Sequence, residues 1–211
     1  MKKRWISFFL IGLLLTSLLS ACGSKVDMSF PKTEQQLKAT SVRNGDDDQT
    51  KILVAFYSSS GTTEAVAKQI AEATGGDLFQ LIPTEPYSSD DLNYNDKTSR
   101  ISKEYASSDL RDIELEYNTV EDWDTYDTVF IGYPIWWGNA AWPINSFLQL
   151  NDFDGKTVIP FCTSASSGIE DSEEFVKTQA TGGTWKEGKR FSSGFSAEQV
   201  TEWVAELSLA K

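Results

Sequence analysis

The sequence predicts an α/β domain over residues 51–211, built on a parallel sheet with helices on both faces. Two observations carry this. Ile52 to Tyr57 is a continuous apolar run of strand length, the pattern of a strand covered on both sides. From Lys51 onward, strand-like and helix-like segments then alternate to the end of the chain.

The elements follow in order. After the first strand, Thr63 to Thr74 has helical spacing through Val66, Ile70 and Ala73 and stops at Gly75-Gly76. Asp77 to Ile82 is a second strand, closed by Pro83. Residues 84–112 form a long polar excursion with Tyr87, Tyr94 and Tyr105 and a weak helix near 96–108. Thr128 to Gly132 is a third strand, and Ile144 to Leu150 belongs to a helix. Thr157 to Cys162 is a fourth strand, with Pro160 an unusual guest in it. Gly168 to Gln179 is helical, Trp185 to Phe191 is a short edge strand, and Ala197 to Leu209 is a closing helix.

Ahead of this domain, Met1 to Arg4 is basic, Ile6 to Leu19 is apolar, and small residues lead to Cys22. At 14 residues the apolar run is shorter than the ~20 of a comfortable membrane span. This is the layout of a secretory signal, with an uncleaved anchor helix as the alternative. Leu19-Ser20-Ala21-Cys22 resembles the lipobox of bacterial lipoproteins, which implies a signal peptide over 1–21, a lipid on Cys22, and a domain held outside the cytoplasmic membrane. Residues 22–50 are polar, carry Asp46-Asp47-Asp48, and are expected to act as a tether.

Composition excludes several chemistries. With no histidine, Ser-His-Asp and Cys-His catalysis and histidine-metal sites are ruled out. Lipidating Cys22 leaves Cys162 alone, without a disulfide and read as a buried, inert thiol. Removing Lys2, Lys3 and Arg4 from 19 basic residues leaves 16 against 31 acidic ones, a net charge of −15 for the exported chain. Nucleic acid needs a basic face, so it is not an expected partner. Demanding chemistry would have to come from a bound cofactor.

In parallel α/β folds, ligands sit at the carboxyl ends of the strands, which singles out three segments. Ser58-Ser59-Ser60-Gly61-Thr62-Thr63 joins the first strand to a helix N-terminus, so five hydroxyls and free backbone N–H groups surround one glycine. No Lys or Arg lies between Lys51 and Lys68, so an anion would meet a neutral cradle there; helix capping by Ser60 or Thr62 is the alternative. Gly132 to Pro143 holds Trp136, Trp137 and Trp142, suited to stacking on a flat aromatic ligand or to a cluster beneath the loop. Thr163 to Gly168 is again small and rich in donors.

Three other stretches are decoys. Gly183 to Arg190 imitates a phosphate-binding P-loop, but Arg190 stands where Ser or Thr should be and a strand-like run follows. Asp152-Phe153-Asp154-Gly155 suits a tight turn. Glu170, Asp171, Glu173 and Glu174 suit the start of a helix.

Phe56-Tyr57-Ser58-Ser59-Ser60-Gly61-Thr62-Thr63 resembles the phosphate loop of the flavodoxins, Tyr-Phe-Ser-x-Thr-Gly-Asn-Thr, with Ser60 and Thr62 in place of the usual Thr and Asn. Gly132-Tyr133-Pro134-Ile135-Trp136-Trp137-Gly138 and Phe161-Cys162-Thr163-Ser164 are similar to the second and third loops of a flavodoxin-like subfamily, from whose glycine-rich pattern Ala165 and Ser166 depart. The resemblance implies a three-layer sandwich with a five-stranded parallel sheet of order 2-1-3-4-5. It implies FMN as cofactor, no metal, and contacts from Ser58, Ser59, Ser60, Gly61, Thr62 and Thr63 to phosphate. Pro134, Ile135, Trp136, Trp137, Gly138, Thr163, Ser164, Ser167 and Gly168 would border the ring. The implied function is electron transfer to a redox partner protein or a small acceptor such as a quinone. A flavin-free binding or adhesion module is the rival reading.

Overall fold

The computed structural model describes residues 50–209. The expected signal peptide, Cys22 and the tether up to Gln49 lie outside the described residues. Among those described, no helix is long and apolar enough to cross a membrane.

The strands and helices are β1 (Ile52–Phe56), α1 (Thr62–Thr74), β2 (Asp77–Gln80), α2 (Arg100–Ala106), β3 (Thr128–Trp136), β4 (Asn139–Ala140), α3 (Pro143–Leu150), β5 (Thr157–Thr163), α4 (Glu170–Gln179), β6 (Thr184–Trp185), β7 (Lys189–Phe191) and α5 (Ala197–Glu206). The main sheet runs β2-β1-β3-β5, with β6 and β7 both paired in parallel to the outer side of β5. This is the expected 2-1-3-4-5 order, with the fifth strand in two pieces. A two-residue β4, antiparallel to the end of β3, brings the total to seven.

Pro160 accounts for the split. β6 pairs up to Val158 and β7 resumes at Phe161, so Ile159 and Pro160 face residues 186–188, which leave the ladder after the Lys186 N–H bonds the Val158 carbonyl. A proline has no N–H for a neighbouring strand, and the edge strand bulges where the donor is missing. Gly188 closes that bulge. A Cβ there would lie 2.7 Å from the Pro160 carbonyl oxygen.

The side chains of β1 alternate between two cores, as the pleat requires. Leu53 and Ala55 join the cluster containing Ile131, Ile144, Phe147 and Val176. Ile52, Val54 and Phe56 join the other, with Val66, Ile70, Val200 and Trp203 of α1 and α5. Gly132 is forced by close approach: a Cβ at this position would sit 2.1 Å from Phe161 Cζ.

The decoys resolve as structure. Gly183 to Arg190 lies in the β6–β7 edge and runs into β7 rather than directly into a helix, and the Asp154 N–H donates to Asp152 Oδ1 in a turn closed by Gly155 at φ +78. Glu173 does more than start α4: it pairs with Lys177 and accepts from the Gly188 N–H, bracing the bulge.

Cys162 is fully buried, and burial pushes its thiol up from 9.0 to about 12. The thiolate that attacks electrophiles is therefore absent at neutral pH. Iodoacetamide at pH 8 is expected to leave folded Cys162 unmodified and to alkylate it promptly in denaturant. The raised value also sets a sign: stability from the neutral thiol is complete below its ordinary value of 9.0 and is lost as pH climbs toward 12.

Candidate functional site

The first loop ends in a helix start that no side chain caps. Gly61 occupies the N-cap position at φ +86, a left-handed conformation that glycine adopts without strain. Neither Ser60 nor Thr62 caps α1, which corrects the capping alternative. Ser58 Oγ accepts from the Gly61 N–H at 3.1 Å, and Ala65 N–H closes the first helical bond to the Gly61 carbonyl at 2.9 Å. The hydroxyls of Ser59, Ser60 and Thr62 make no hydrogen bond to the described residues. Open N–H groups, the positive end of the helix dipole and three uncommitted hydroxyls thus meet at one point.

Thr63 turns inward. Its hydroxyl meets that of Thr163 at 2.8 Å in a buried bond that ties the first loop to the third. A shared hydroxyl pair uses one hydrogen between the two oxygens and leaves the other free.

The second segment differs from a simple loop. β3 continues through Pro134, Ile135 and Trp136, and Trp137-Gly138 forms the two-residue turn into β4. Both turn residues are left-handed, at φ +48 and +82, as a primed hairpin turn demands. Gly138 meets this demand easily; Trp137 does so under strain. The Trp137 carbonyl accepts from Asn139 Nδ2 at 3.1 Å, and its ring stacks on Tyr105 of α2 at 4.6 Å and 17°.

The three tryptophans do not act as one group. Trp142 is 1 % exposed and belongs to the core, with the Arg111 guanidinium 4.5 Å above its ring. Trp136 is mostly buried and meets Tyr57, Tyr87 and Trp142 edge to face at 5.7, 5.2 and 5.8 Å. Only Trp137 is substantially exposed. Core packing therefore explains Trp142 and most of Trp136, as the alternative of a cluster beneath the loop would have it.

The first two segments share a cleft of about 360 Å³ lined by Ser59, Ser60, Leu92, Tyr94, Ile101, Ile135, Trp136 and Trp137. That volume lies within the range for small-molecule sites, ~300–1,000 Å³. Leu92, Tyr94 and Ile101 come from the 84–112 excursion and were not among the predicted site residues. The trace in the sequence is the set of tyrosines in this polar stretch, Tyr94 among them; Leu92 and Ile101 have no period to mark them.

Ser58, Gly61, Thr62, Thr63, Pro134, Gly138, Thr163, Ser164, Ser167 and Gly168 do not line this cleft. Ser164 is committed to its own loop: its hydroxyl donates to the Ser167 carbonyl, its N–H donates to Phe191, and its carbonyl accepts from Arg190. Thr163 connects the third loop to the first.

No acid, base or cation lines the cleft, and no metal-ligand cluster occurs among the described residues. Donors at one end and an aromatic wall at the other fit an anionic tail joined to a flat ring.

Comparison with known proteins agrees with this arrangement. A family model described as Flavodoxin matches residues 51–207. The chain belongs to the flavodoxin family. A candidate flavoprotein from Bacteroides eggerthii is 38 % identical, with a TM-score of 0.69 over 77 % of this chain and 100 % of that one. Another from Bacteroides uniformis is 41 % identical, with a TM-score of 0.68 over 74 % and 98 %. A Lactobacillus acidophilus flavoprotein solved in complex with FMN is 24 % identical, with a TM-score of 0.57 over 74 % and 99 %, a likeness of fold. No curated protein matches the chain.

Proposed function

We propose that this protein binds FMN and transfers electrons at the outer face of the cytoplasmic membrane, anchored by lipid on Cys22. One observation carries the reading: Ser59 and Ser60, just ahead of the uncapped start of α1, line the same cleft as Trp136 and Trp137. The FMN complex of the Lactobacillus relative supports it.

In this reading Ser58, Ser59, Ser60, Gly61, Thr62 and Thr63 hold the phosphate through hydroxyls and backbone N–H groups, aided by the helix dipole rather than by a cation. Pro134, Ile135, Trp136, Trp137 and Gly138 border the ring on one side, and Thr163, Ser164, Ser167 and Gly168 approach it from the third loop. Bound flavin supplies the redox chemistry. The chain orients the ring, excludes water from its buried face, and sets its potential through nearby charge. With 31 acidic residues in the chain, an anionic reduced flavin is disfavoured, so the potential is expected to lie below that of free FMN. Electrons pass on to a redox partner protein or to a small acceptor such as a quinone.

The test is an absorption spectrum of residues 23–211. The protein is expected to be yellow, or to turn yellow on adding FMN, with tryptophan fluorescence falling as the ring stacks. A colourless protein indifferent to micromolar FMN would establish the flavin-free module instead.

Trp137→Gly separates wall from scaffold. Glycine relieves the left-handed strain, worth about 1 kcal/mol or more, while losing the Tyr105 stack costs about 0.5–1.5 kcal/mol. The two nearly cancel, so thermal stability is expected to stay within about 1 kcal/mol. Removing one aromatic face of the cleft is expected to weaken FMN about tenfold, read by fluorescence titration.

A further inference from the structure

The cleft wall is held from behind by one buried carboxylate. Glu104 is 4 % exposed. Its Oε2 accepts from the Tyr87 hydroxyl and its Oε1 from Arg100 Nε, each at 2.8 Å. Arg100 also lies 4.0 Å over the Tyr87 ring and donates to the Glu85 carbonyl at 2.7 Å. The Tyr87 ring in turn meets Trp136 at 5.2 Å and Tyr57 at 6.3 Å, and Trp136 lines the cleft. On its other side Glu104 borders a second surface cavity of about 480 Å³, shared with Asp90, Asp91, Asp96 and Lys103. A single carboxylate thus stands between a cavity through which protons can reach it and the aromatic wall of the cleft.

We propose that Glu104 is a positioning residue for the FMN cleft: its ionised carboxylate fixes Tyr87 and, through Tyr87, the edge-on seat of Trp136. The inference rests on the FMN reading of the cleft. Both carboxylate oxygens already accept from donors, so a proton added to either has no acceptor waiting. Either Tyr87 reverses to accept it, or Arg100 loses its charged partner. Either change replaces a charge-assisted bond by a weaker one and loosens the restraint that holds the Tyr87 ring against Trp136.

The charges around Glu104 set the direction of its titration. Burial pushes the carboxyl up, the hydrogen bonds from Tyr87 and Arg100 and the Arg100 charge pull it down, and Asp91 pushes it up; the net shift is upward. The Tyr57 hydroxyl and Lys103 face the same region, and Arg111 binds the Glu104 carbonyl at 2.8 Å. The geometry is that of an ionised acid, with the Tyr87 hydroxyl and Arg100 Nε each donating to one carboxylate oxygen.

Two readouts over about pH 4–8 test this, with far-UV circular dichroism confirming a folded chain throughout. In the apoprotein, the near-UV signal of the Trp136–Tyr87–Tyr57 cluster is expected to titrate in the wild type and to be flat in Glu104→Gln. In the holoprotein, wild-type FMN affinity is expected to fall about tenfold as Glu104 protonates, while Glu104→Gln binds at the weakened level at every pH. Tyr87→Phe keeps the ring, drops the hydroxyl and is expected to behave as Glu104→Gln does, standing in for it if that variant fails to fold. Identical near-UV titrations in wild type and variant overturn the proposal. So does an FMN affinity that Glu104→Gln leaves unchanged. Should no form bind FMN, the cleft reading fails, and the apoprotein titration alone decides the role of Glu104.

Discussion

Ser60→Glu is expected to weaken FMN by about 100-fold or more while leaving the fold intact. Ser60 is exposed at the mouth of the cleft, one residue before the left-handed Gly61 and two before the first residue of α1. A carboxylate there would occupy the position assigned to the phosphate and face it with like charge. Juxtaposed like charges cost several kcal/mol, and each 1.4 kcal/mol is tenfold in affinity. The same charge near a helix N-terminus is favourable by about 0.3–1 kcal/mol, so the apoprotein should melt at the wild-type temperature or slightly above. Ser60→Ala removes one donor without adding charge and should cost only several-fold. The contrast is the useful measurement. Equal FMN affinity in Ser60→Glu and wild type would show that the cradle is misassigned, and a lower melting temperature would show that the variant disturbs the helix start instead.

β1, β5 and the start of β3 were legible because each is a short apolar run bounded by turn residues, and the Ser58 to Thr63 segment because hydroxyls collect where a strand meets a helix. What the sequence concealed was set by contacts distant along the chain. The third strand was expected to stop at Gly132; in the structure β3 passes through Pro134 to Trp136. That early stop made three tryptophans look like a loop cluster, although Trp142 and most of Trp136 are core. The wall formed by Leu92, Tyr94 and Ile101 has no period to betray it, and its position depends on Arg100, Glu104 and Tyr87 holding the excursion against β3. The Thr63–Thr163 bond spans 100 residues, and no local pattern could indicate it.

Trp142→Ala is expected to cost the most stability of any substitution near the cleft, about 3–5 kcal/mol, and to lose FMN affinity without touching the ligand. The indole is 1 % exposed, packed edge to face on Trp136 at 5.8 Å, and covered by Arg111 at 4.5 Å. Arg111 also donates to the Glu104 carbonyl at 2.8 Å and to the Tyr105 carbonyl at 2.6 Å. Tyr105 is the ring on which Trp137 stacks. Removing the indole therefore opens a void beneath Trp136 and takes away the platform of the arginine that secures both ends of the α2 contact. Trp142→Phe discriminates packing from polarity. The indole N–H finds no acceptor among the described residues, and a buried donor left unpaired costs about 1–3 kcal/mol. Phenylalanine deletes that donor and keeps most of the aromatic volume, so its relief offsets much of the smaller cavity it creates. Urea denaturation should place Trp142→Phe within about 1.5 kcal/mol of wild type and Trp142→Ala far below it. If both variants fell together, the indole N–H would have to be making a bond that stabilises the fold, and the packing account of Trp142 would be wrong.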